Sequence, residues 1–520
     1  MKTNKVIIIG GGLAGLHCGL LLAKKGKEVT LLEQHTTVGG LAAGFNRKGY
    51  YFDSGIARFA GASLAGYFEE AGISSLVPLQ DHRASVRMGD KTYKTRTVAD
   101  FIQACANHFP AEAEALIRLY NEKIKEPAAF MSLQNQSGML SYKGPKMMGK
   151  AFATMGKTIF GGHAGGMGAL MKSMDTDLQD LLENYLGKDS PLADYLMHIT
   201  GDLFNKGGRN SLMNLIGSLC SDLELDKYPQ NGFQHLCNCY AEGIKKHGGK
   251  IITGAKALKI QCSGHTATAA EYALKGQTLT ETGDAIVYAA DLSTLYMQLL
   301  HGIKDESGLS GRIAEQETTA PVPILYLGVK LRGDIIREHF GDAEELIYHP
   351  ERGKPAAEED YYAAAPMILH CSSLNNPGHA PAGCSSIQVY LASPPKGWMD
   401  NWGMGNGGKT NEYGVIKKQV TRDVMENITR VLPKLEDGSL TEVCELGTPH
   451  TFERYTGNKG GAHCAFTWDR ALNKVNPQMG RYNCRHATIE NLYTIGHWTG
   501  YLGGATNALG SARHAAELIK

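Results

Sequence analysis

The chain has 520 residues, of which 42% are apolar and 20% are charged, a composition typical of a globular protein with two or three structural units. Its formal net charge of +1 lacks the strongly basic balance of nucleic-acid-binding proteins, so we expect no nucleic acid partner. None of the eleven cysteines forms a C-x-x-C pair, which argues against a zinc site, and we predict no metal. Since we find no signal peptide and no long apolar stretch, we expect a cytoplasmic protein with reduced thiols.

The first predicted elements form a βαβ unit. The β-branched run at residues 6–9 predicts a buried strand at residues 5–9, residues 13–25 predict a helix, and residues 28–32 predict a second strand. Three glycines with G-x-G-x-x-G spacing follow the first strand: Gly10, Gly12 and Gly15. The first allows a tight turn, the second lets a pyrophosphate approach the backbone, and the third lets the helix pack on the strand. Glu33 ends the second strand, where it is placed to accept hydrogen bonds from a ribose.

The next segment distinguishes FAD from NAD. A second glycine pair, Gly39 and Gly40, follows the acid, and the sequence GYYFDSG occupies residues 49–55. This extended series resembles the FAD-binding signature of the amine oxidase and phytoene desaturase superfamily, and the resemblance implies FAD as the cofactor. The candidate cofactor-binding residues in this part of the chain are Gly10, Gly12, Leu13, Ala14, Gly15, Glu33, Gln34, Gly39, Gly40, Leu41, Asp53 and Gly55.

A basic, methionine-rich segment follows at residues 127–174. It contains no Asp or Glu, five lysines and eight of the 18 methionines of the chain. Flexible apolar side chains mixed with lysines are typical of a surface that contacts lipid headgroups, and they also suit a lid over an apolar tunnel. Both interpretations stay open, so membrane association is one expectation for this protein.

Several later stretches resemble the same superfamily. Residues 229–251 resemble its P-x-G-G-[MF]-x-x-L element, residues 283–291 resemble the strand that closes its FAD domain, and Ala257 is a further cofactor-binding candidate. Residues 369–394 resemble the phytoene desaturase branch, although a β-hairpin with a proline-rich turn is the plainer interpretation. Residues 447–462 are similar to a run shared by carotenoid isomerases and retinol saturases.

The last predicted elements are a short strand at residues 492–495, a glycine-rich loop and a helix at residues 505–519. This end resembles the final element of FAD-dependent desaturases and amine oxidases, where the helix N-terminus points at the pyrimidine edge of the flavin. The candidate cofactor-binding residues here are Gly496, Gly503, Gly504 and Ala505. His497 and Trp498 stand where relatives often have small residues, and they either lie against the flavin or fill the core.

We therefore expect an α/β fold, with a Rossmann-type FAD-binding domain and an inserted α+β substrate domain. The FAD-binding domain is predicted to be discontinuous, comprising residues 1–85, 222–295 and 440–520. The substrate domain is predicted to comprise residues 86–221 and 296–439, including helices near residues 99–107 and 111–120.

The resemblance to the phytoene desaturase, carotenoid isomerase and retinol saturase family implies an FAD-dependent oxidoreductase. Its substrate would be a long apolar polyene or isoprenoid, desaturated, saturated or isomerised by hydride transfer with flavin N5. A flavin amine oxidase and a flavin-bearing scaffold without turnover are the alternatives, and the electron acceptor stays open. The polar candidates for catalysis are Arg58, His163 and His497, each of which also has a plain structural interpretation.

Overall fold

The computed structural model describes residues 4–59, 64–162, 165–201, 211–222, 226–303, 308–319, 321–350, 361–392, 402, 404–405, 408–466, 484–499 and 504–520. Two predicted site residues, His163 and Gly503, lie outside these ranges. The strands are β1 (Lys5–Ile9), β2 (Glu28–Glu33), β3 (Gly44–Arg47), β4 (Tyr50–Asp53), β5 (Leu79–His82), β6 (Ala84–Met88), β7 (Lys91–Lys94), β8 (Asp226–Pro229), β9 (Lys250–Thr253), β10 (Lys256–Ser263), β11 (Thr266–Leu274), β12 (Gln277–Thr282), β13 (Ala285–Tyr288), β14 (Ile324–Val329), β15 (Glu345–His349), β16 (Met367–His370), β17 (Ser385–Leu391), β18 (Met404–Gly405), β19 (Gly408–Lys409), β20 (Thr441–Gly447) and β21 (Leu492–Thr494). The helices are α1 (Leu13–Lys24), α2 (Ala65–Ala71), α3 (Val98–His108), α4 (Ala113–Leu119), α5 (Lys125–Ser137), α6 (Gly144–Phe160), α7 (Gly166–Asp175), α8 (Leu178–Leu186), α9 (Pro191–Gly201), α10 (Leu212–Asp222), α11 (Gly232–Lys246), α12 (Leu292–Thr294), α13 (Leu309–Glu315), α14 (Gly333–Phe340), α15 (Tyr361–Ala364), α16 (Asn411–Val431), α17 (Pro449–Thr456) and α18 (Gly504–Leu518).

A five-stranded parallel sheet carries the nucleotide-binding signature. Its strand order is β21-β13-β1-β2-β9, so it unites segments from both ends and the middle of the chain. Helix α1 packs between α11 and α18 on this sheet, and residues 13–23 of the helix are all buried. The strands are near-continuous apolar runs because helices and loops cover a parallel sheet on both faces. The predicted α/β fold with a Rossmann-type unit is confirmed.

A second, mixed sheet of seven strands has the order β20-β14-β17-β16-β15-β6-β7. Only β15 and β6 run parallel within it, and the other neighbours are antiparallel. Strand β20 falls in the segment 440–520 that the sequence analysis assigned to FAD binding. It pairs instead with β14 along the whole length of that strand. The pairing gives hydrogen-bond partners to the backbone groups of β14 that would otherwise lie at an open edge of the sheet. The remaining domain boundaries stay a prediction.

Helices α3 to α5 and α7 to α10 form a layer against one face of the seven-stranded sheet, and α6 packs on α5. The apolar side chains of the layer share a core with Val86, Ile324, Ile368 and Tyr390 of that sheet. Helix α16 covers the opposite face through Val420, Val424 and Ile428. The predicted helices near residues 99–107 and 111–120 correspond to α3 and α4. Across the described ranges, no helix combines the length and the apolar character needed to cross a bilayer.

Candidate functional site

A cavity of about 1220 Å³ lies between the two large sheets and the helical layer. It exceeds the roughly 300–1,000 Å³ of ordinary small-molecule pockets, so it has room for a ligand larger than a mononucleotide. Most of the predicted cofactor-binding residues line it: Gly10, Gly12, Leu13, Ala14, Glu33, Gln34, Gly39, Gly40, Leu41, Gly55, Ala257, Gly496, Gly504 and Ala505. The fold thus brings three segments that are distant in sequence to one site.

The turn between β1 and α1 shows why glycine is needed there. Gly10 has a φ of +106°, and a Cβ on it would lie 2.9 Å from the carbonyl oxygen of Ala289. Gly15 does not line the cavity, and its Cβ would lie 2.0 Å from the carbonyl oxygen of Gly10, so it permits helix–strand packing. A Cβ on Gly12 would meet no protein atom within 4 Å, and no side chain caps the helix there. The open N-terminus of α1 therefore fits the diphosphate of a dinucleotide.

The second glycine pair lies directly across this turn. The amide of Gly39 donates to the carbonyl oxygen of Gly11 at 2.8 Å, and Gly39 has a φ of +133°. A Cβ on Gly40 would lie 3.3 Å from the Cα of Gly12. Larger residues would separate the two loops, because both backbones approach within van der Waals contact.

Glu33 is a buried carboxylate held in place by the backbone. Its Oε2 accepts from the amide of Gly11 at 2.7 Å, and its Oε1 accepts from the amide of His35 at 2.7 Å. Burial raises the pKa of Glu33, and these hydrogen bonds oppose that rise. Each carboxylate oxygen retains acceptor capacity, which suits the hydroxyl groups of a ribose at this edge of the cavity.

Asp53 occupies a different place from the predicted one. It is fully buried, and it does not line the cavity. Its carboxylate accepts hydrogen bonds from the hydroxyls of Tyr51 and Tyr228 and from the amide of Phe233. The pKa of Asp53 is raised to about 6, because burial outweighs these donors. The acid of the GYYFDSG stretch thus joins β4 to β8 and α11 within the core.

The C-terminal loop reaches the cavity from the far edge of the parallel sheet. Gly496 has a φ of +109°, and its amide donates to Ser511 Oγ at 2.9 Å. His497 lines the cavity, and burial lowers its pKa to about 4, so its imidazole is neutral near pH 7. The indole of Trp498 packs against Phe466 and donates to Asn458 Oδ1 at 3.2 Å.

Arg58 lines the cavity and forms an ion pair with Glu345 of β15. Burial alone would raise the pKa of Glu345, but Arg58 and the hydrogen bond with His82 lower it to about 2. His82, Glu345 and His370 also lie close enough to share a metal ion. The guanidinium on Glu345 opposes a second cation there, so this cluster is better described as the anchor of Arg58.

Two cavity residues were missed by the sequence analysis. Asp291 follows β13 and accepts hydrogen bonds from the amides of Ser293 and Lys459. Its position directly after a buried parallel strand is a signal that could have identified it. His463 also lines the cavity, and its Nδ1 accepts from the amide of Val322 at 3.2 Å. No local pattern identifies His463, because its place depends on a loop contact across 141 residues.

Several known proteins are similar to this chain over most of its length. The family model described as flavin containing amine oxidoreductase matches residues 13–320, more than half of the chain. The 1-hydroxycarotenoid 3,4-desaturase of Flavobacterium sp. (strain P99-3) is 25% identical, over 99% of this chain and 99% of that protein. The all-trans-retinol 13,14-reductase of Homo sapiens is 24% identical, over 94% of this chain and 81% of that protein. An oxidoreductase structure from Methanosarcina mazei covers 99% of this chain and 100% of its own, with a TM-score of 0.61 at 13% identity, which shows a shared fold.

Proposed function

The chain belongs to the flavin-containing amine oxidoreductase family and is an FAD-dependent oxidoreductase; from this premise we propose that it acts on carbon–carbon bonds of a long apolar polyene or isoprenoid. The observation that carries the proposal is the extent of the cavity beyond its nucleotide end. There it continues along an apolar wall that includes Phe59, Met131, Met213, Ile368 and Tyr390. The named reactions of the desaturase and the retinol reductase, similar to this chain over nearly its whole length, support the same substrate class.

In this proposal the two ends of the cavity have separate tasks. The α1 turn and Glu33 hold the nucleotide half of FAD, and the Gly496 loop and the start of α18 border its ring. FAD, when bound, accepts or donates a hydride at N5. The apolar wall orients the substrate by shape and excludes water, because a hydrocarbon offers no charge for the protein to bind.

The substrate class can be tested by anaerobic flavin bleaching. FAD-loaded protein is mixed with carotenoid precursors, and the dithionite-reduced protein is mixed with polyenes and retinoids. We expect polyenes to change the redox state of the flavin and primary amines to leave it unchanged. Rapid reduction by amines alone would establish the amine oxidase alternative. The family description, which names amine oxidoreductases, is compatible with that alternative.

The surface of α6 and α7 gives the second part of the proposal, contact with a lipid bilayer. We define the apolar face as eight exposed side chains: Met147, Met148, Phe152, Met155, Ile159, Phe160, Met167 and Met171. In α6 polar side chains are buried and apolar ones are exposed, the reverse of an ordinary surface helix. Thr154 and Thr158 are buried, while Phe152 is 67% and Phe160 93% exposed. Exposed apolar surface of this extent is typical of a binding face.

The position of these helices favours lipid as the partner. Helices α6 and α7 pack on α5, and Met131 of α5 and Met174 of α7 line the cavity. An apolar substrate partitions into bilayers, so a face beside the cavity is well placed to collect it. The lysines contribute less positive charge for lipid headgroups than the sequence indicates. Lys143 pairs with Glu70 and Glu517, and Lys146 pairs with Glu69.

Vesicle sedimentation separates the apolar from the electrostatic contribution. Replacing Phe152 and Ile159 by Ser should weaken binding to neutral phosphatidylcholine vesicles at least about tenfold. Each apolar side chain that becomes buried in the bilayer contributes roughly 1.5–3 kcal/mol to binding. Val415, which is 68% exposed on α16, provides the matched control for loss of an exposed apolar side chain. Lys143→Gln should bind vesicles that contain anionic lipid like the parent, because the Lys143 ammonium already pairs with Glu70 and Glu517. Equal binding by the parent and the Phe152/Ile159 variant would remove the membrane proposal.

A further inference from the structure

The end of α17 and the turn that follows it cross the cavity at the carboxyl edge of the parallel sheet. Residues 455–459 form this crossing, which we call the strap, and residues 455–458 line the cavity. A nucleotide in a fold of this kind binds outside the carboxyl ends of the parallel strands. The strap is therefore placed beside the cofactor, although the sequence analysis gave it no contact with FAD.

Two hydrogen bonds anchor one end of the strap. The amide of Lys459 donates to Asp291 Oδ2 at 2.7 Å, just beyond the carboxyl end of β13. The indole of Trp498, which lies beyond β21, donates to Asn458 Oδ1 at 3.2 Å. Both anchors lie on the β21–β13 side of the sheet, so this end of the strap is fixed there.

The other end of the strap lies against the turn beyond β2, where Glu33 is placed to bind a ribose. The ring of Tyr455 packs on the imidazole of His35, with centroids 4.7 Å apart and ring planes at 53°. The amide of His35 donates in turn to Glu33 Oε1 at 2.7 Å. A Cβ on Gly457 would lie 3.3 Å from Gln34 Nε2. Since the sheet order is β21-β13-β1-β2-β9, the strap spans the end of β1 and the glycine-rich turn that follows it.

Tyr455 differs from the other aromatic rings of the cavity wall in its exposure. It is 46% exposed, whereas the other described phenylalanine, tyrosine and tryptophan side chains that line the cavity are all buried: Phe59, Tyr288, Tyr390, Phe466 and Trp498. An accessible aromatic ring beside a ribose-binding carboxylate suits a purine base, because every base offers a π face for stacking. The adenine of FAD is joined to that ribose, so it is the base within reach of Tyr455.

We propose that Tyr455 stacks on the adenine of FAD, so that the strap closes over the adenosine half of the cofactor. His35 holds the phenol ring from one side, and the bonds of Lys459 and Asn458 keep the strap across the sheet edge. Tyr455 is thus a cofactor-binding residue that takes no part in hydride transfer. The inference therefore does not depend on the substrate class of the proposed function.

Calorimetric titration of the FAD-free protein with FAD and with ADP tests this contact. ADP carries the adenosine and diphosphate of FAD but no flavin ring. Tyr455→Ala should bind both ligands roughly tenfold more weakly than the parent, because the stacking of the base on an aromatic ring is lost. Tyr455→Phe keeps the ring and should bind both ligands like the parent. Phe160→Ala is the matched control, since Phe160 is an exposed aromatic residue that does not line the cavity.

Difference absorbance in the adenine band supplies a readout specific to stacking. ADP bound to the parent or to Tyr455→Phe should absorb less than free ADP, and the decrease should be smaller in Tyr455→Ala. Equal affinity of the parent and Tyr455→Ala for FAD and for ADP would refute the proposal. Weaker binding of FAD with unchanged binding of ADP would also refute it, because the ring would then contact the flavin half. Equal losses in Tyr455→Ala and Tyr455→Phe would replace stacking by a contact of the hydroxyl.

Discussion

Replacing Asp53 tests whether this acid holds the cofactor or the protein core. In the structure its carboxylate accepts three hydrogen bonds, from the hydroxyl of Tyr51 at 2.6 Å, from the hydroxyl of Tyr228, and from the amide of Phe233 at 3.0 Å. Asp53→Ala leaves all three buried donors without their acceptor. At about 1–3 kcal/mol for each stranded donor, and with some relaxation, we expect a loss of about 3–6 kcal/mol in unfolding free energy. Because domains are stable by about 5–15 kcal/mol, this is a large fraction of the total.

Asp53→Asn is the milder variant. Its amide oxygen can still accept from one or two donors, while its NH₂ group faces a hydroxyl that formerly donated. We expect about 2–3 kcal/mol of destabilisation, because one or two of the original bonds are lost. Urea titration of the FAD-free protein measures both variants, so that a loss of bound FAD does not contribute to the difference.

FAD titration of Asp53→Asn at low temperature supplies the decisive comparison. Because Asp53 does not line the cavity, we expect the dissociation constant of FAD to stay within about threefold of the parent. A variant of unchanged stability that binds FAD more than tenfold weaker would refute the structural role. It would restore the sequence-based prediction that Asp53 contacts the cofactor.

Three further predictions concern the site and its surroundings. Gly12→Val should abolish FAD binding, because its side chain would fill the space at the N-terminus of α1. Glu33→Gln should weaken FAD binding by about 1.5–3 kcal/mol in calorimetric titration. Normal FAD binding by both variants would place the nucleotide elsewhere. Arg58→Met should lower the unfolding free energy in urea by about 3–5 kcal/mol, because it leaves the buried Glu345 carboxylate without its guanidinium partner, and adding Glu345→Gln should recover part of the loss. Burial lowers the pKa of His17 to about 3, so between pH 7 and pH 5 the unfolded chain gains a proton that the folded protein refuses. The parent should lose about 2 kcal/mol of stability over this range through His17, and His17→Phe should flatten the profile by that amount; an unchanged slope would contradict a buried neutral imidazole.

The elements that the sequence determined by itself are those whose geometry depends on near neighbours. The first strand was predicted at residues 5–9 and the first helix at residues 13–25, and the structure has β1 at Lys5–Ile9 and α1 at Leu13–Lys24. Strand and helix periodicity and the positive φ of Gly10 are local properties, so residue types alone indicate them. FAD, by contrast, was implied by the resemblance of the glycine and acid series to a known FAD-binding signature.

Tertiary structure decided which polar groups meet. Arg58 pairs with Glu345 across 287 residues, and Asp53 accepts from Tyr228 across 175 residues. The residue type of Asp53 suits a ribose as well as two tyrosines, so its role follows from the elements packed beside it. The same holds for β20, which pairs with the open edge of β14 although its neighbours in sequence approach the cavity. A side chain's partner depends on long-range packing, and local sequence patterns carry no information on elements brought together from distant parts of the chain.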